Sequence, residues 1–322
     1  MSINSPGVLR LLRICRTVSD IDRAVAFYRD VLDFLVVGTT THRRDAWSAL
    51  IGASEALAQC VILRLGQQEL ELVAFNPGGA AYPAESGSAD LWFQHIAIVV
   101  SDIDAAYDRV RAALQLRPAP CGLISTSGPQ HLPPNDGSVS ACKFRDPDGH
   151  PVELIHFPDG AGDPVWQSKS TLFLGIDHSA VAVGDLDSTI DFYSRQLGLK
   201  RASHSCNTGT PQDRLDGLRD VVLQVVALLP ELHTPHLELL CYRRPAGRPI
   251  SAHRQYNDIA VDRLVFQVDD LASLLERLDA EQVLIPTQVS SRGIVTLPNS
   301  QRWMQIQDPG GHMILLTEGE RA

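Results

Sequence analysis

The chain has 322 residues, 44% hydrophobic and 20% charged, which fits a soluble globular protein of about two domains. Its formal charge of −10 argues against a nucleic-acid or anionic-membrane partner, since either would need a basic stripe. No run reaches the roughly 18 apolar residues of a membrane span. The six cysteines (Cys15, Cys60, Cys121, Cys142, Cys206 and Cys241) form no CxxC pair, which points to reduced thiols. Arginines interrupt the apolar run of MSINSPGVLRLLRICR, unlike the core of a signal peptide, so the expected location is the cytoplasm.

Taken in chain order, the sequence repeats itself. VSDID at 18–22 returns as VSDID at 100–104, VGDLD at 183–187 and VDDLA at 268–272. The marker aspartates Asp20, Asp102, Asp185 and Asp270 are spaced by 82, 83 and 85 residues, the signature of four structural repeats. Before each marker comes an apolar segment of strand length, such as HIAIVV (95–100) or HSAVAV (178–183). The marker itself suits a helix N-cap, and acidic residues follow where the helix dipole favours them. A helical pattern comes next, for example Ile103, Tyr107, Val110 and Leu114; the first and third copies share Phe27-Tyr28 and Phe192-Tyr193 at the same offset. Further strand-like segments follow. The last is the clearest: QELELVAF (68–75), HPVELIHF (150–157), PHLELLCY (235–242) and HMILLTE (312–318).

Each copy therefore reads β-α-β-β-β, and Pro/Gly-rich connectors at 76–90, 157–170 and 243–258 divide the copies. The expected fold class is α+β: four βαβββ units pairing into two eight-stranded cup-like sheets, with helices outside and a concave face left for a ligand. The units span 8–75, 91–157, 174–242 and 261–318.

These repeats, the stretch DIDRAVAFYRDVLDF (20–34) and the turn-strand DPDGHPVEL (146–154) resemble the vicinal oxygen chelate superfamily. That superfamily includes glyoxalase I, methylmalonyl-CoA epimerase, extradiol dioxygenases and the bleomycin resistance proteins. The resemblance covers roughly residues 8–318 and implies two glyoxalase-like domains, 1–160 and 171–322. It is specific for the fold and not for the reaction, because one scaffold hosts many chemistries.

The resemblance implies that metal ligands come from the first and last strand of a unit and point into the cup. Counting seven residues back from each marker gives Arg13, His95, His178 and Arg263; the last-strand positions are Glu71, Glu153, Glu238 and Leu315. Arginine offers no lone pair, and leucine no donor. His95, Glu153, His178 and Glu238 form a mixed N/O set suited to one divalent ion: Zn, Ni, Co, Mn or Fe(II). If unit one pairs with two and three with four, no cup holds both histidines. The pairing of one with four and two with three, which resembles that of four-unit glyoxalase I enzymes, brings all four residues together. Taken singly, a histidine or glutamate on a strand is as often a satisfied core or rim residue; the joint match is what points to metal.

Other residues are expected near a substrate. His236 shares the strand face of Glu238, and His204 and Gln212 lie in SHSCNTGTPQDRLDGL (203–218), where substrate loops often sit. The resemblance implies a metal-dependent lyase, isomerase or epimerase acting on a small oxygenated molecule. The metal would polarise a carbonyl, and Glu153 or Glu238 would shuttle a proton at the neighbouring carbon. One alternative is an Fe(II) extradiol-type dioxygenase, although Arg263 and Leu315 occupy two of the positions that family uses for ligands. Another is a metal-free protein that sequesters a ligand. The expected assembly is a monomer or homodimer.

Overall fold

The computed structural model describes residues 7–53, 55–133, 138–167, 170–232, 235–280 and 293–319. Unit one contains β1 (Val8–Val18), α1 (Ile21–Leu32), β2 (Leu35–Arg43), α2 (Ala46–Leu50), β3 (Leu57–Leu65) and β4 (Gln68–Asn76). Unit two contains β5 (Gln94–Val100), α3 (Ile103–Gln115), β6 (Gly122–Leu123), β7 (Gln130–His131), β8 (Ser140–Arg145) and β9 (Pro151–His156). Unit three contains β10 (Phe173–Ala182), α4 (Leu186–Asp191), β11 (Lys200–Thr208), α5 (Thr210–Asp216), β12 (Val222–Leu229) and β13 (His236–Arg244). Unit four contains β14 (Asp262–Val268), α6 (Leu271–Ala280), β15 (Ile294–Thr296), β16 (Arg302–Gln307) and β17 (Met313–Glu318). No helix among the described residues is long and apolar enough to cross a membrane.

The marker aspartates recur because each begins a helix. Asp20, Asp102 and Asp185 accept the backbone N–H of Arg23, Ala105 and Ser188, and Asp270 accepts those of Ala272 and Ser273. A capping carboxylate satisfies donors that have no partner within the helix and sits at the positive end of its dipole.

Units one and four share one sheet, in the order β15-β16-β17-β14-β1-β4-β3-β2. Units two and three share the other, β11-β12-β13-β10-β5-β9-β8-β6, with β7 on β8. Each half of the chain, 1–160 and 171–322, thus gives one unit to each sheet. Both sheets follow the expected eight-position order, and in the second the edge position is split into β6 and β7, which makes nine strands among the described residues. The extra strand arises where Ser127 and Gly128 take left-handed conformations (φ 65° and 77°) just before Pro129, a residue without an N–H for the ladder. The interrupted segment reaches α5 instead: Thr126 N–H donates to Arg214 O and the Ser125 hydroxyl to Leu215 O.

Strand alternation sorts the side chains. Ile14, Ile96, Ile98, Ile176 and Phe266 join Phe27, Val110, Phe192 and Leu274 of the helical segments in one core that contains residues of all four units. The odd-numbered neighbours on β1 and β5 (Arg13, Cys15, His95, Ala97) face the cups.

Consecutive units are clamped by the two sequence signatures. Tyr28 donates its hydroxyl to Asp146 (2.8 Å) and Tyr193 donates to Asp308 (3.1 Å), so the Phe-Tyr of units one and three meets the Asp-Pro turn of units two and four. His150 Nε2 contacts Thr17 O (2.7 Å) and His312 Nε2 contacts Ala182 O (2.9 Å), repeating the pattern. Arg16, fully buried, adds an ion pair: Nε donates to Asp262 (3.0 Å) and Nη1 to the Tyr28 hydroxyl (2.8 Å). Removing one member of a buried ion pair leaves an uncompensated charge. Arg16→Ala should therefore lower unfolding free energy by about 3–5 kcal/mol, whereas Arg64→Ala, in an exposed pair with Glu69, should cost under about 1 kcal/mol. Urea denaturation checks this, and equal costs would show that the Arg16 cluster does not hold the units together.

Candidate metal centre in the second cup

The same register operates in all four units. Two residues beyond each counted first-strand position, the chain pairs with the counted last-strand position: Cys15 with Glu71, Ala97 with Glu153, Ala180 with Glu238 and Val265 with Leu315. The four pairs of positions are structurally equivalent, and differences between the cups come from the side chains alone.

In the cup of units one and four those side chains fill the space. Trp47 and Leu50 of α2 pack with Ile51, Val265, Trp303 and Leu315 in a hydrophobic cluster. Arg13 Nε donates to Glu71 (3.0 Å), and the buried Arg263 donates through Nη2 to Tyr256 O (2.6 Å). Burial pushes the Arg263 guanidinium below its ordinary value.

In the cup of units two and three, β5 lies antiparallel to β10, with Ala180 opposite His95 and Ala97 opposite His178. That pairing puts both imidazoles on one face, and the parallel neighbours β9 and β13 add Glu153 and Glu238 to it. His95 Nε2 lies 2.8 Å from Glu153 Oε2, and His178 Nε2 lies 3.9 Å from the same oxygen. Glu238 Oε2 is 3.5 Å from His178 Nε2, and its Oε1 is 3.7 Å from His236 Nε2. One ligand atom each from His95, Glu153 and His178 lie within 4.8 Å of one another; Glu238 stands beside this group and is reached through His178. All four expected residues therefore face the same cup.

The donor atoms suit a divalent ion. Both nitrogens of His95 and the Nε2 of His178 are buried without a hydrogen-bond partner; the close His95–Glu153 contact lacks hydrogen-bond alignment. Buried polar nitrogens are rarely left so. Bonds of about 2.1 Å put ligand atoms of a tetrahedral shell about 3.4 Å apart, and the observed His95–Glu153 and His178–Glu153 spacings of 2.8 and 3.9 Å bracket that value. Asp177 fixes His178 from behind, with Oδ2 2.9 Å from Nδ1, while its Oδ1 accepts from Trp166 Nε1 (2.7 Å). A carboxylate on one ring nitrogen leaves the other aimed at the cup, as outer partners of metal-bound histidines commonly do.

Charge in the cup is strongly coupled. Burial pushes the His95 imidazole down, despite Glu153. Burial also opposes charge on His178, but Glu238, Asp177 and Glu153 outweigh it and raise the ring to about 9. Glu153 is brought down to about 2, where burial is overcome by Lys143 and His95. Glu238 also falls to about 2, with His178 and His236 outweighing burial.

The cavity above these residues has a volume of about 620 Å³. The three residues expected near a substrate all line it, in different ways. His236 stands beside Glu238, and its Nδ1 lies 3.8 Å from Asp177. His204 is exposed at the rim, with Arg201 donating to its Nδ1 (2.7 Å). Gln212, on α5, is buried and committed to neighbours: its amide donates to Asp216 (2.7 Å) and accepts from Asn207 (3.2 Å).

Asp177 and Lys143 escape the repeat count. Lys143 is buried on β8 opposite Glu153, 5.9 Å from the Phe93 ring centroid, and its Nζ donates to Asp216 (2.7 Å). The signal for it is the hairpin: the DPDG turn at 146–149 fixes a register that pairs Lys143 with Glu153. The signal for Asp177 is only its place before His178, since a neighbour on a strand ordinarily points to the other face. A register shift between Ile176 and His178 turns it toward the ring.

Comparison with known proteins agrees with this architecture. The profile of the Glyoxalase/Bleomycin resistance protein/Dioxygenase superfamily matches residues 10–154 and 175–316. A lactoylglutathione lyase of Arabidopsis thaliana is 28% identical over 193 residues, 59% of this chain and 55% of that protein, so the match spans about half the plant protein's length. A 2-epi-5-epi-valiolone epimerase from an Actinomyces species is 30% identical over 165 residues, 48% of this chain and 84% of the epimerase. The crystal structure of glyoxalase I from Zea mays superposes with a TM-score of 0.62 at 20% identity, covering 96% of this chain and 92% of the maize chain, a likeness of fold. By sequence profile over most of its length, the chain belongs to the Glyoxalase/Bleomycin resistance protein/Dioxygenase superfamily.

Proposed function

We propose that this protein is a metal-dependent enzyme of the glyoxalase type, a lyase, isomerase or epimerase that moves a proton beside a carbonyl of a small substrate. The observation that carries this reading is the convergence of His95, Glu153 and His178 in a buried cup, with imidazole nitrogens that make no aligned hydrogen bond among the described residues. The names of the similar proteins, lactoylglutathione lyase and epimerase, support the same class.

In this reading His95, His178 and Glu153 hold the ion, which supplies Lewis-acid polarisation of a substrate carbonyl. Glu153 is the anchored carboxylate, pinned at 2.8 Å to His95 and facing the buried Lys143. Glu238 is the freer one: its side chain is 21% exposed against 8% for Glu153, and its nearest partners are 3.5 and 3.7 Å away. Glu238 is therefore assigned as the base. Its carboxylate takes the proton from the α-carbon and the C–H electron pair moves toward the carbonyl oxygen; the same carboxylate returns the proton to that carbon in an epimerisation, or to the former carbonyl carbon in an isomerisation, where the hydroxyl proton also passes to the other oxygen so that the two oxygens exchange roles. His236, 3.7 Å from Glu238, orients the base, and the apolar wall of Leu223, Val225 and Leu240 keeps water from the carbanionic centre.

A series of variants separates these roles. His95→Ala or His178→Ala should abolish stoichiometric metal, read by plasma mass spectrometry of the purified protein. Glu238→Gln should keep the metal and lose about 10²–10⁴-fold in kcat for α-proton exchange in D2O, the usual worth of a general base. Metal retained in both histidine variants would remove the basis of the proposal.

The metal-stripped protein should show a particular pH dependence. His178, raised from 6.5 to about 9, stabilises the fold fully below pH 6.5, and this contribution is lost as pH rises through 9. Glu153 and Glu238, lowered from 4.5 to about 2, stabilise above pH 4.5 and lose that contribution as pH falls toward 2. Tm of the stripped protein should accordingly decline from pH 6.5 to 9, and the rise in Tm on adding metal should grow over the same range because the proton on His178 no longer competes. Calorimetry with and without metal tests this; parallel curves would contradict it.

A further inference from the structure

We propose that Trp166, in the connector between the two halves of the chain, is a positioning residue for the metal centre. It holds Asp177 as the hydrogen-bond partner of His178 and so directs the ion to the His95 side of that ring. The inference rests on the proposed metal-centred reading and deepens it.

His178 stands between two sets of donors. Toward the cavity, its Nε2 faces Glu153 at 3.9 Å, in the group that includes His95. Its Nδ1 lies 2.9 Å from Asp177 Oδ2, which is 3.8 Å from His236 Nδ1. One ligand atom each from Asp177, His178 and His236 also lie within 4.8 Å of one another. A neutral imidazole has one free lone pair, so only one of its nitrogens can bind an ion. When Asp177 accepts the Nδ1 proton, the free pair points at the His95 side. The choice of ion position therefore depends on what fixes Asp177.

Trp166 fixes it. Its Nε1 donates to Asp177 Oδ1 (2.7 Å), with both side chains buried, and this leaves Oδ2 to face the ring. The register shift that turns Asp177 inward recurs on β1 between Leu11 and Arg13, where Leu12 packs against the apolar cluster of the other cup. The shift belongs to the repeat, and on β10 an indole donor meets the residue it exposes.

Trp166 has little freedom of its own. It sits on a 3-10 turn (Pro164–Gln167), and its backbone N–H donates to Asp163 O (2.9 Å). Gln167 ties that turn to the preceding loop, accepting from Gly160 N–H (3.0 Å) and donating to Ala161 O (2.6 Å). The indole lies against Gly175, where a Cβ would come 2.8 Å from the ring and 2.3 Å from Oε1 of Gln68. That Oε1 accepts the Ile176 N–H (3.3 Å), so the connector and unit one both grip β10 just before Asp177.

The test measures the Co2+ affinity of the full chain by competition with a chromophoric chelator, and the visible bands of bound Co2+ report its ligands. Asp177→Ala should raise the Kd about 10–100-fold, the usual cost of losing such an outer partner, and Trp166→Phe should raise it about 5–10-fold and shift the bands. Because Trp166 acts through Asp177, adding Trp166→Phe to Asp177→Ala should raise the Kd by less than about twofold. A loss of packing alone would carry over into the double variant. Gly175→Ala, whose added methyl displaces the indole, is a second variant and should raise the Kd likewise. Equal factors for Trp166→Phe in both backgrounds, or an unaltered Kd and spectrum in Trp166→Phe or Gly175→Ala, would overturn the inference and leave the metal site standing. Failure of the unaltered protein to take up Co2+ would overturn the underlying reading instead.

Discussion

The antiparallel pairing of β5 with β10 is the constraint on which the site depends. Within each unit the first and last strands run parallel in a fixed register, so in units two and three one histidine and one glutamate lie close together. Only the junction between units two and three places two such pairs face to face, through Ala180 opposite His95 and Ala97 opposite His178. Because side-chain direction alternates along a strand, a slip of one residue at this junction would turn one of the two imidazoles away from the cup. The ladder that builds the sheet therefore also sets the distances between the ligand atoms.

The two cups show what the same register does with different side chains. Where Arg13, Arg263 and Leu315 stand, the concave face is closed by Trp47, Leu50 and Trp303, and the unit contributes a packed interior. Where His95, His178 and two glutamates stand, the side chains line a cavity and the buried imidazole nitrogens make no aligned hydrogen bond among the described residues. Burying such groups is costly, and Arg16, Tyr28 and the Asp-Pro turns fix the surrounding units. The same repeat thus yields one packed cup and one that lines a cavity.

Much of this was legible in the sequence because periodicity and counting carry it. The marker aspartates are helix caps, so their spacing gave the repeat, and counting back seven residues reached the cup-facing position in every unit. Three features were not legible, each for a physical reason. The split of β6 and β7 depends on left-handed Ser127 and on contacts with α5 from a distant unit. Asp177 reaches His178 only because a register shift breaks the alternation that pattern reading assumes. The choice of Glu238 over Glu153 as the freer carboxylate depends on Lys143, His95 and relative burial, which no linear count supplies.

Anomalous diffraction from crystals of the zinc-loaded protein, recorded at the zinc edge, tests the central claim most directly. The account places one ion at bonding distance, about 2.0–2.2 Å, from a nitrogen of each of His95 and His178 and an oxygen of Glu153. An ion bound at Asp177 and His236 without His95, or density for zinc only on the outer surface, would contradict it.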